Sequence, residues 1–306
     1  MIFLKYNIEY YKKFARDSWI AFRPFSLTLA VGSTSLGIIA AYRLDLLFKS
    51  HPILDAINIL LITIAGILAQ SGANLINDYF EGSFRYYRKS STSIKFLGVQ
   101  RSYFDVYVFL LGMACFAGAG LIGLYLILIT NYKMFIIGII GLIGSYAYTG
   151  EPFVYKRHGL GAILSFILMG PLMVYGAFFP FSLEFSWYPI LLALPASFLI
   201  PALMLSNEMR DFSRDSRLSL GTLSVRIGSK ASIIIYTLLV FGAFALTAIY
   251  VVLGFYPTAS LLVFLTLPLA IKAFRSVSKL QHKGIPYTNS LHWKFTLIII
   301  LTLIIF

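Results

Sequence analysis

This chain has 306 residues, 59% of them hydrophobic and 12% charged, with a formal net charge of +13. Because a soluble domain is about one-quarter charged, this composition excludes a soluble globular protein, and its hydrophobic content excludes a disordered chain. The single cysteine, Cys115, lies in an apolar run, which excludes disulfides and cysteine–metal sites. A transmembrane helix needs about 20 apolar residues, so the length predicts one polytopic membrane domain over residues 1–306.

Residues 1–17 at the amino terminus predict an interfacial amphipathic helix. The segment carries four basic residues, Lys5, Lys12, Lys13 and Arg16, among apolar ones. It shows neither the short apolar core nor the small-residue cleavage site of a signal peptide. We therefore expect this helix to lie against the lipid surface.

The rest of the chain consists of long apolar runs separated by polar breaks, and these predict an all-α bundle of nine membrane-spanning helices. Helices are expected because lipid offers no water to an open sheet edge, and the runs are too long and continuous for barrel strands. The predicted spans are 24–42, 52–77, 103–129, 133–150, 159–180, 186–207, 231–253, 257–274 and 290–306.

The basic residues are distributed unevenly between the two sides of this bundle. Of the 25 Lys and Arg residues, 21 fall in the amino terminus and in the second, fourth, sixth and eighth loops, which share one side. Arg43, Lys49 and Lys133 fall on the other side, and Lys294 opens the last span. Since basic loops remain in the cytoplasm, the pattern predicts a cell-membrane protein with a cytoplasmic amino terminus. The second loop holds Arg85, Arg88, Lys89, Lys95 and Arg101.

Two clusters of acidic and amide side chains close the second and sixth predicted spans. In each cluster an Asn precedes an Asp by four residues and another carboxylate follows three or four residues later, so on a helix they share one face. The alternative for any one of them is a polar residue at headgroup level. Two matched clusters favour a site, because carboxylates at helical spacing repel one another unless a cation lies between them. The members are Asn74, Asp78 and Glu81 in the first cluster and Asn207, Asp211 and Asp215 in the second.

The chemistry of these clusters favours Mg²⁺ and a diphosphate. Mg²⁺ prefers few oxygen ligands from protein together with phosphate oxygens. No His or Cys cluster in the sequence supports zinc, haem or iron–sulfur binding. Nearby cations, among them Lys156, Arg210 and Arg226, suit a diphosphate, although the positive-inside rule alone accounts for most loop cations. The 27 Phe, 20 Tyr and 3 Trp residues are compatible with a long apolar tail and with a sheltered carbocation.

These motifs resemble the UbiA superfamily of intramembrane prenyltransferases, and most closely its MenA branch, which prenylates 1,4-dihydroxy-2-naphthoate. The resemblance runs from Arg23 to Gly228 and includes the nine-helix layout, and the two acidic clusters match the family's two Asp-rich motifs. Two positions depart from the pattern, since Glu81 stands where the first motif has Asp and Ala162 stands where MenA proteins carry an acid. The segments that resemble the MenA fourth loop and fifth helix are Tyr148-Thr149-Gly150-Glu151-Pro152, Lys156, His158-Gly159-Leu160-Gly161 and Gly170-Pro171.

The resemblance implies Mg²⁺-dependent transfer of a polyprenyl group from an allylic diphosphate to an aromatic acceptor. The acceptor ring would attack an allylic cation and then lose a proton, or carbon dioxide in the case of a naphthoate. The implied metal ligands are the six members of the two acidic clusters. The implied catalytic residues are Asp78, Asp211 and Lys156, and the implied diphosphate-binding residues are Lys156, Arg210, Arg226, Asn74 and Asn207.

An acceptor pocket is predicted near Tyr146, Tyr148 and His158, although the tyrosines also suit an interfacial aromatic belt and a loop His is often merely solvated. The predicted partners are a polyprenyl diphosphate, an aromatic acceptor and membrane lipid. Nucleic acid is excluded, because the positive charge is spread among loops and explained by topology.

Two alternatives to this function stay open. The same chemistry could act on geranylgeranylglyceryl phosphate, 4-hydroxybenzoate or a porphyrin. A transporter would also suit intramembrane acids. However, a helix from Pro52 to Asp78 is ~40 Å long at 1.5 Å per residue, which puts Asp78 at the mouth of the membrane core and not at its midplane.

Overall fold

A computed structural model of the protein describes residues 2–81 and 93–306, and the side chains of these residues except 2–7, 9, 10 and 93. Most of this part of the chain is helical. The helices, in chain order, are α1 (Ile2–Phe22), α2 (Leu27–Arg43), α3 (Pro52–Glu81), α4 (Tyr103–Ile129), α5 (Tyr132–Ala147), α6 (Gly161–Ile167), α7 (Met173–Ser182), α8 (Tyr188–Ser197), α9 (Leu199–Arg217), α10 (Leu223–Val252), α11 (Leu267–Ser278) and α12 (Gly284–Ile305).

The predicted all-α membrane bundle is confirmed. Within the described residues, eight helical segments are long and apolar enough to cross a membrane, and α5 is a shorter apolar helix. Four of the eight are composite, and the first of them joins the end of α1 to α2 through a 3₁₀ turn (Pro24–Ser26). A π-helical turn (Leu168–Leu172) containing Pro171 joins α6 to α7, because proline removes a backbone donor; α8 runs into α9 at Phe198, and a 3₁₀ helix (Thr258–Thr266) leads into α11.

Several predicted boundaries are wrong. The fourth span does not reach residue 150, because α5 ends at Ala147 and the chain turns there. The helix of the seventh span, α10, begins at Leu223, but its backbone is not helical at Gly228, whose φ of 81° glycine adopts without strain, so the unbroken helix starts close to the predicted residue 231. The amino-terminal helix extends past residue 17 to Phe22. Its interfacial location stays a prediction.

The second loop contains a short β-hairpin, which differs from the all-α prediction. Strands β1 (Ser93–Phe96) and β2 (Val99–Ser102) pair antiparallel. Arg101 of the hairpin donates to the carbonyl of Tyr79 at 3.3 Å, and its guanidinium lies 4.4 Å from the centre of the Tyr79 ring. The hairpin therefore packs against the end of α3. The predicted loop cations Arg85, Arg88 and Lys89 lie outside the described residues.

The apolar core places α9 at the centre of the bundle. Leu199, Ala202 and Leu205 of this helix are fully buried, in one cluster with Tyr236 of α10 and Phe295 of α12. Because its apolar first half is held on several sides, the polar second half of α9 is fixed in direction. That half carries the second acidic cluster.

Candidate active site

One polar cavity of about 320 Å³ lies where the carboxyl ends of α3 and α9 meet the segment between α5 and α6. Arg23, Leu220 and Thr222 complete its wall. Four carboxylates and five cations therefore share a space comparable to a small-ligand site. The acidic residues are Asp78, Glu81, Asp211 and Asp215, and the basic residues are Arg23, Lys156, Arg157, Arg210 and Arg214.

The first acidic cluster is fixed by contacts at the end of α3. Lys156 donates from Nζ to both carboxylate oxygens of Glu81, at 2.7 Å each. Asn77 donates to Glu81 Oε2 at 3.1 Å and accepts a hydrogen bond from Arg23. Asp78 lies one turn before this network and is 1% exposed. The carboxyl end of α3 and the loop before α6 are thus joined by ionic hydrogen bonds.

The second acidic cluster is paired with arginines of its own helix. Arg210 binds Asp211 in a bidentate fashion, with Nε–Oδ1 and Nη2–Oδ2 distances of 2.8 and 2.6 Å. Arg214 contacts Asp215 at 2.7 Å and Asp211 at 3.2 Å. The two arginines lie at the cavity wall with their charges partly balanced.

The predicted asparagines do not line this cavity in the part of the chain that the structure describes. Asn74 donates to the carbonyl of Phe22 at 2.8 Å and to Ser26 Oγ at 2.9 Å, which joins α3 to the start of α2. Asn207 donates to the carbonyl of Leu203 at 3.1 Å. Their assignment as ligands stays a prediction that these contacts do not support.

Arg226, Tyr146 and His158 are also absent from the cavity wall that the described residues form. Arg226 donates to the carbonyl of Gly221 at 2.8 Å, so it fixes the loop before α10. The hydroxyl of Tyr146 donates to the carbonyl of Glu151 at 3.2 Å and secures the turn that follows α5. Of the three predicted acceptor-pocket residues, Tyr148 lies against the cavity residue Lys156.

The ring of Tyr148 lies against Lys156, the lysine of the polar cavity. Lys156 Nζ is 5.7 Å from the centre of its ring, and its hydroxyl points to Met204 Sδ at 3.8 Å. Burial raises the pKa of Tyr148, and the nearby Glu81 and Glu208 carboxylates raise it further. Burial likewise raises the pKa of Tyr155, which packs edge to face against Tyr148. Both tyrosines therefore stay neutral phenols near neutral pH.

Sequence reasoning does not single out Arg23, Asn77, Arg157 or Glu208, although each contributes to this region. Arg23 lies far from the clusters in sequence, in the turn before α2, so only the fold brings it to Asn77. Asn77 directly precedes Asp78, and Glu208 directly follows Asn207. Their positions beside predicted ligands are the signal by which the sequence could have identified them.

A second, apolar cavity of about 560 Å³ lies deeper in the bundle, between α2, α3, α4, α5 and the α6–α7 segment. Gln70 of α3 lines it and donates weakly to Asn74 Oδ1, at 3.4 Å. On α3, Gln70, Asn74 and Asp78 share one face at four-residue spacing. The apolar cavity therefore begins about two helical turns, ~12 Å, below the polar cavity.

Comparison with known proteins decides the family. The sequence pattern described as the UbiA prenyltransferase family matches residues 30–295. The chain belongs to the UbiA prenyltransferase family. As a UbiA family member it is a prenyltransferase and an integral, multi-pass membrane protein, as the sequence predicts.

Two curated relatives show what this UbiA protein is similar to. A 1,4-dihydroxy-2-naphthoate octaprenyltransferase from Bacillus subtilis (strain 168) is 27% identical over 262 residues, which cover 84% of this chain and 80% of the relative. UbiA prenyltransferase domain-containing protein 1 from Gallus gallus is 30% identical over 272 residues, covering 87% and 78% of the two chains.

Solved UbiA structures share the fold. An apo structure of a UbiA homolog from Aeropyrum pernix K1 aligns with a TM-score of 0.64 and 16% identity, covering 90% of this chain and 97% of that one. A UbiA homolog from Archaeoglobus fulgidus bound to GPP and Mg²⁺ aligns with a TM-score of 0.56 and 14% identity, covering 92% and 99%. The predicted fold is therefore confirmed.

Proposed function

We propose that this protein transfers a prenyl group from an allylic diphosphate to an aromatic acceptor in a Mg²⁺-dependent reaction, with 1,4-dihydroxy-2-naphthoate as the favoured acceptor. The observation that carries the proposal is the polar cavity, in which carboxylates of α3 and α9 face the cations Lys156, Arg157 and Arg210. The naphthoate is favoured by the Bacillus subtilis relative, whose name gives that substrate.

The cations of the polar cavity are suited to a diphosphate. Arg210 and Arg157 offer planar guanidinium groups for phosphate oxygens. Lys156, which is paired with Glu81, offers a compact ammonium charge. As the carbon–oxygen bond of the donor breaks, negative charge grows on the leaving diphosphate. Positioned cations stabilise that charge more in the departing group than in the bound donor, and this difference lowers the barrier.

The carboxylates of the polar cavity fit Mg²⁺ by their chemistry. Asp78, Glu81, Asp211 and Asp215 supply only oxygen donors, and they lie on the same wall as the cations that would bind phosphate oxygens. Within the described residues, no group of three or more acidic, His or Cys side chains is already arranged around one metal position. The ion would thus be held jointly by a few of these carboxylates and the substrate, and when bound it would neutralise the leaving group.

The prenyl tail of the donor would enter the apolar cavity. Its lining is dominated by Ala, Gly, Leu, Ile and Met side chains, and it lies below the polar cavity along the Asp78 face of α3. A chain anchored by its diphosphate would thereby keep its reactive first carbon between the two cavities. The neutral ring of Tyr148 lies at that level beside Lys156 and would contact the allylic cation or the acceptor.

The acceptor supplies the second half of the reaction. A ring carbon of the acceptor forms a bond to the first carbon of the allylic cation, and the ring then loses a proton, or carbon dioxide from a carboxylate-bearing carbon. Diphosphate leaves with the electron pair of the broken carbon–oxygen bond. The protein mainly holds the two substrates in contact and excludes water.

The proposal is tested by transfer assays on the full-length protein in lipid nanodiscs with Mg²⁺, a labelled prenyl diphosphate and a panel of acceptors that includes 1,4-dihydroxy-2-naphthoate. We expect prenylated naphthoate, abolished by EDTA and restored by Mg²⁺. Asp78→Asn and Asp211→Asn should each lower kcat by at least ~100-fold, because each removes a charge from the cavity.

Asp45→Asn provides the matched control. Asp45 is an exposed carboxylate in the loop after α2 and forms a surface pair with Lys49, away from the polar cavity. Its substitution should leave kcat unchanged. Wild-type turnover in both cavity variants would contradict the site, and transfer only to another acceptor would contradict the naphthoate assignment.

A further inference from the structure

Glu208 is a buried carboxylate held between the starts of two helices. It is 4% exposed, and its Oε2 accepts a hydrogen bond from the backbone N–H of Ser224 at 2.8 Å. Thr222, the N-cap residue of α10, makes no side-chain capping bond. Glu208 of α9 therefore caps α10 in its place.

The other oxygen of Glu208 is left without such a bond. Oε1 has no hydrogen-bond partner among the residues that the structure describes. It lies beside Gly161, the first residue of α6, where a Cβ would be 3.4 Å from Oε1 and 3.5 Å from Lys156 Cγ. Because a buried carboxylate oxygen is costly unless it accepts a hydrogen bond, this atom favours a donor, and the side chains beside the Glu208 carboxyl that can donate are the Ser224 hydroxyl and Lys156.

Lys156 is the cationic one of these two donors. Three rotatable bonds separate Cγ from Nζ, so the ammonium can swing across the gap that Gly161 leaves open. In the structure both oxygens of Glu81 accept a hydrogen bond from this ammonium at 2.7 Å. This ion pair competes with the binding of a metal ion by Glu81. Two carboxylates thus flank one lysine, and only one of them is bonded to it.

We infer that Glu208 is a positioning residue for Lys156, an alternative acceptor that takes the ammonium when Glu81 turns to the substrate-bound metal. This inference rests on the proposed function, because it assumes that Glu81 helps to hold Mg²⁺ with a diphosphate. Lys156 then moves between two carboxylates, and Glu81 changes from ion-pair partner to ligand. The charge of Glu208 makes that exchange possible without leaving the ammonium unpaired in a buried site.

The test measures metal binding separately from turnover. The Mg²⁺ concentration that gives half-maximal thermal stabilisation is determined for the full-length protein in nanodiscs with saturating inorganic diphosphate. Glu208→Gln keeps an acceptor for the Ser224 N–H but removes the charge, and it should raise that concentration about tenfold. Glu151→Gln, an exposed acid in the loop that carries Lys156, is the matched control and should not change it.

A second experiment, in the Lys156→Met variant, separates the positioning of Lys156 by Glu208 from the capping of α10 by Glu208. The Lys156→Met variant still offers Arg23, Arg157 and Arg210 to the diphosphate. Adding Glu208→Gln to this variant should change the Mg²⁺ concentration for half-maximal stabilisation less than twofold, which is about the error of such double-mutant cycles. A tenfold effect that persists without Lys156 would show a structural role alone and overturn the inference, as would a wild-type response in Glu208→Gln. Wild-type protein with no Mg²⁺-dependent stabilisation would overturn the proposed function itself.

Discussion

Ion pairing within the polar cavity determines how individual side chains are available to a ligand. Glu81, Asp211 and Asp215 all contact Lys or Arg at 2.6–2.7 Å. These pairs are partly exposed, so their net contribution to stability is modest. A diphosphate with a bound divalent cation can replace these ion pairs. Its oxygens would bind the Lys and Arg side chains, and its metal ion would bind the carboxylates.

Arg210 provides a test of that exchange at the level of one residue. Replacing it with Gln removes a guanidinium fork that would transfer from Asp211 to a phosphate oxygen. We expect KM for the prenyl diphosphate to rise by about 10- to 100-fold, since a hydrogen bond to a charged group contributes ~1.5–3 kcal/mol. Steady-state kinetics at fixed acceptor concentration measure this change.

Arg217→Gln is the control on the same helix. Arg217 is exposed and donates to the carbonyl of Ser213 at 3.1 Å. It carries the same charge but does not line the polar cavity formed by the described residues. Equal increases in KM for the two variants would mean that general surface charge, and not the cavity, attracts the donor.

At the ends of α3 and α9, the sequence predicts the positions of the acidic residues well and those of the asparagines poorly. Helical spacing puts Asp78 and Glu81 on one face of α3 and Asp211 and Asp215 on one face of α9, and all four line the polar cavity in the structure. The same spacing also predicts Asn74 at the site, but Asn74 lies one turn deeper and bonds to Phe22 and Ser26. Spacing within a helix shows the shared face and not what packs against it.

Tertiary contacts explain the remaining differences. The role of Arg23 depends on where the turn before α2 meets α3, more than 50 positions away in sequence. The first turn of α10, which precedes the bend at Gly228, contacts Glu208, although the apolar pattern indicates a span only from residue 231. The hairpin after the second span consists of four-residue strands, which are too short to give a periodic signal.

The helices around the apolar cavity provide the next prediction. Gly138 of α5 lines this cavity, and a Cβ added there would meet no atom within 4 Å. Gly138→Leu should therefore fill space without displacing a neighbouring helix. If the prenyl tail occupies the cavity, kcat/KM for a long donor should fall at least about tenfold relative to geranyl diphosphate, because part of its buried chain is displaced.

Ile143→Phe is the matched change on the same helix. Ile143 is 56% exposed and does not line the apolar cavity of the described structure, so its bulk should be accommodated by lipid. Competition assays with mixed donors, followed by product mass spectrometry, compare the two variants directly. Unchanged donor preference in Gly138→Leu would place the tail elsewhere.

The bundle as a whole separates a site end from an opposite end. At the site end, Asn289 near the start of α12 donates to the carbonyl of Phe25 just before α2, at 2.9 Å. At the opposite end, Arg43 of α2 donates to the carbonyl of Leu303 near the end of α12, at 3.4 Å. The first and last spans therefore run in the same direction, as in the predicted nine-span layout, in which the shorter α5 also crosses the membrane.

Charge follows the same division, and we expect it to fix the orientation in the membrane. The amino terminus and the loops at the site end carry 21 of the 25 basic residues. Since basic loops resist translocation, the amino terminus and the mouth of the polar cavity should face the cytoplasm. A soluble acceptor and the released diphosphate would then exchange with the cytoplasm, while the apolar tail stays in lipid.

Cysteine labelling in intact cells tests this orientation. Cys115 is buried and is replaced by Ala to give a cysteine-free background. Lys49→Cys and Lys133→Cys, at exposed positions of the opposite end, should react with a membrane-impermeant maleimide in intact cells. Lys283→Cys and Arg217→Cys, exposed at the site end, should react only after the membrane is opened, and the reverse pattern would place the polar cavity outside the cell.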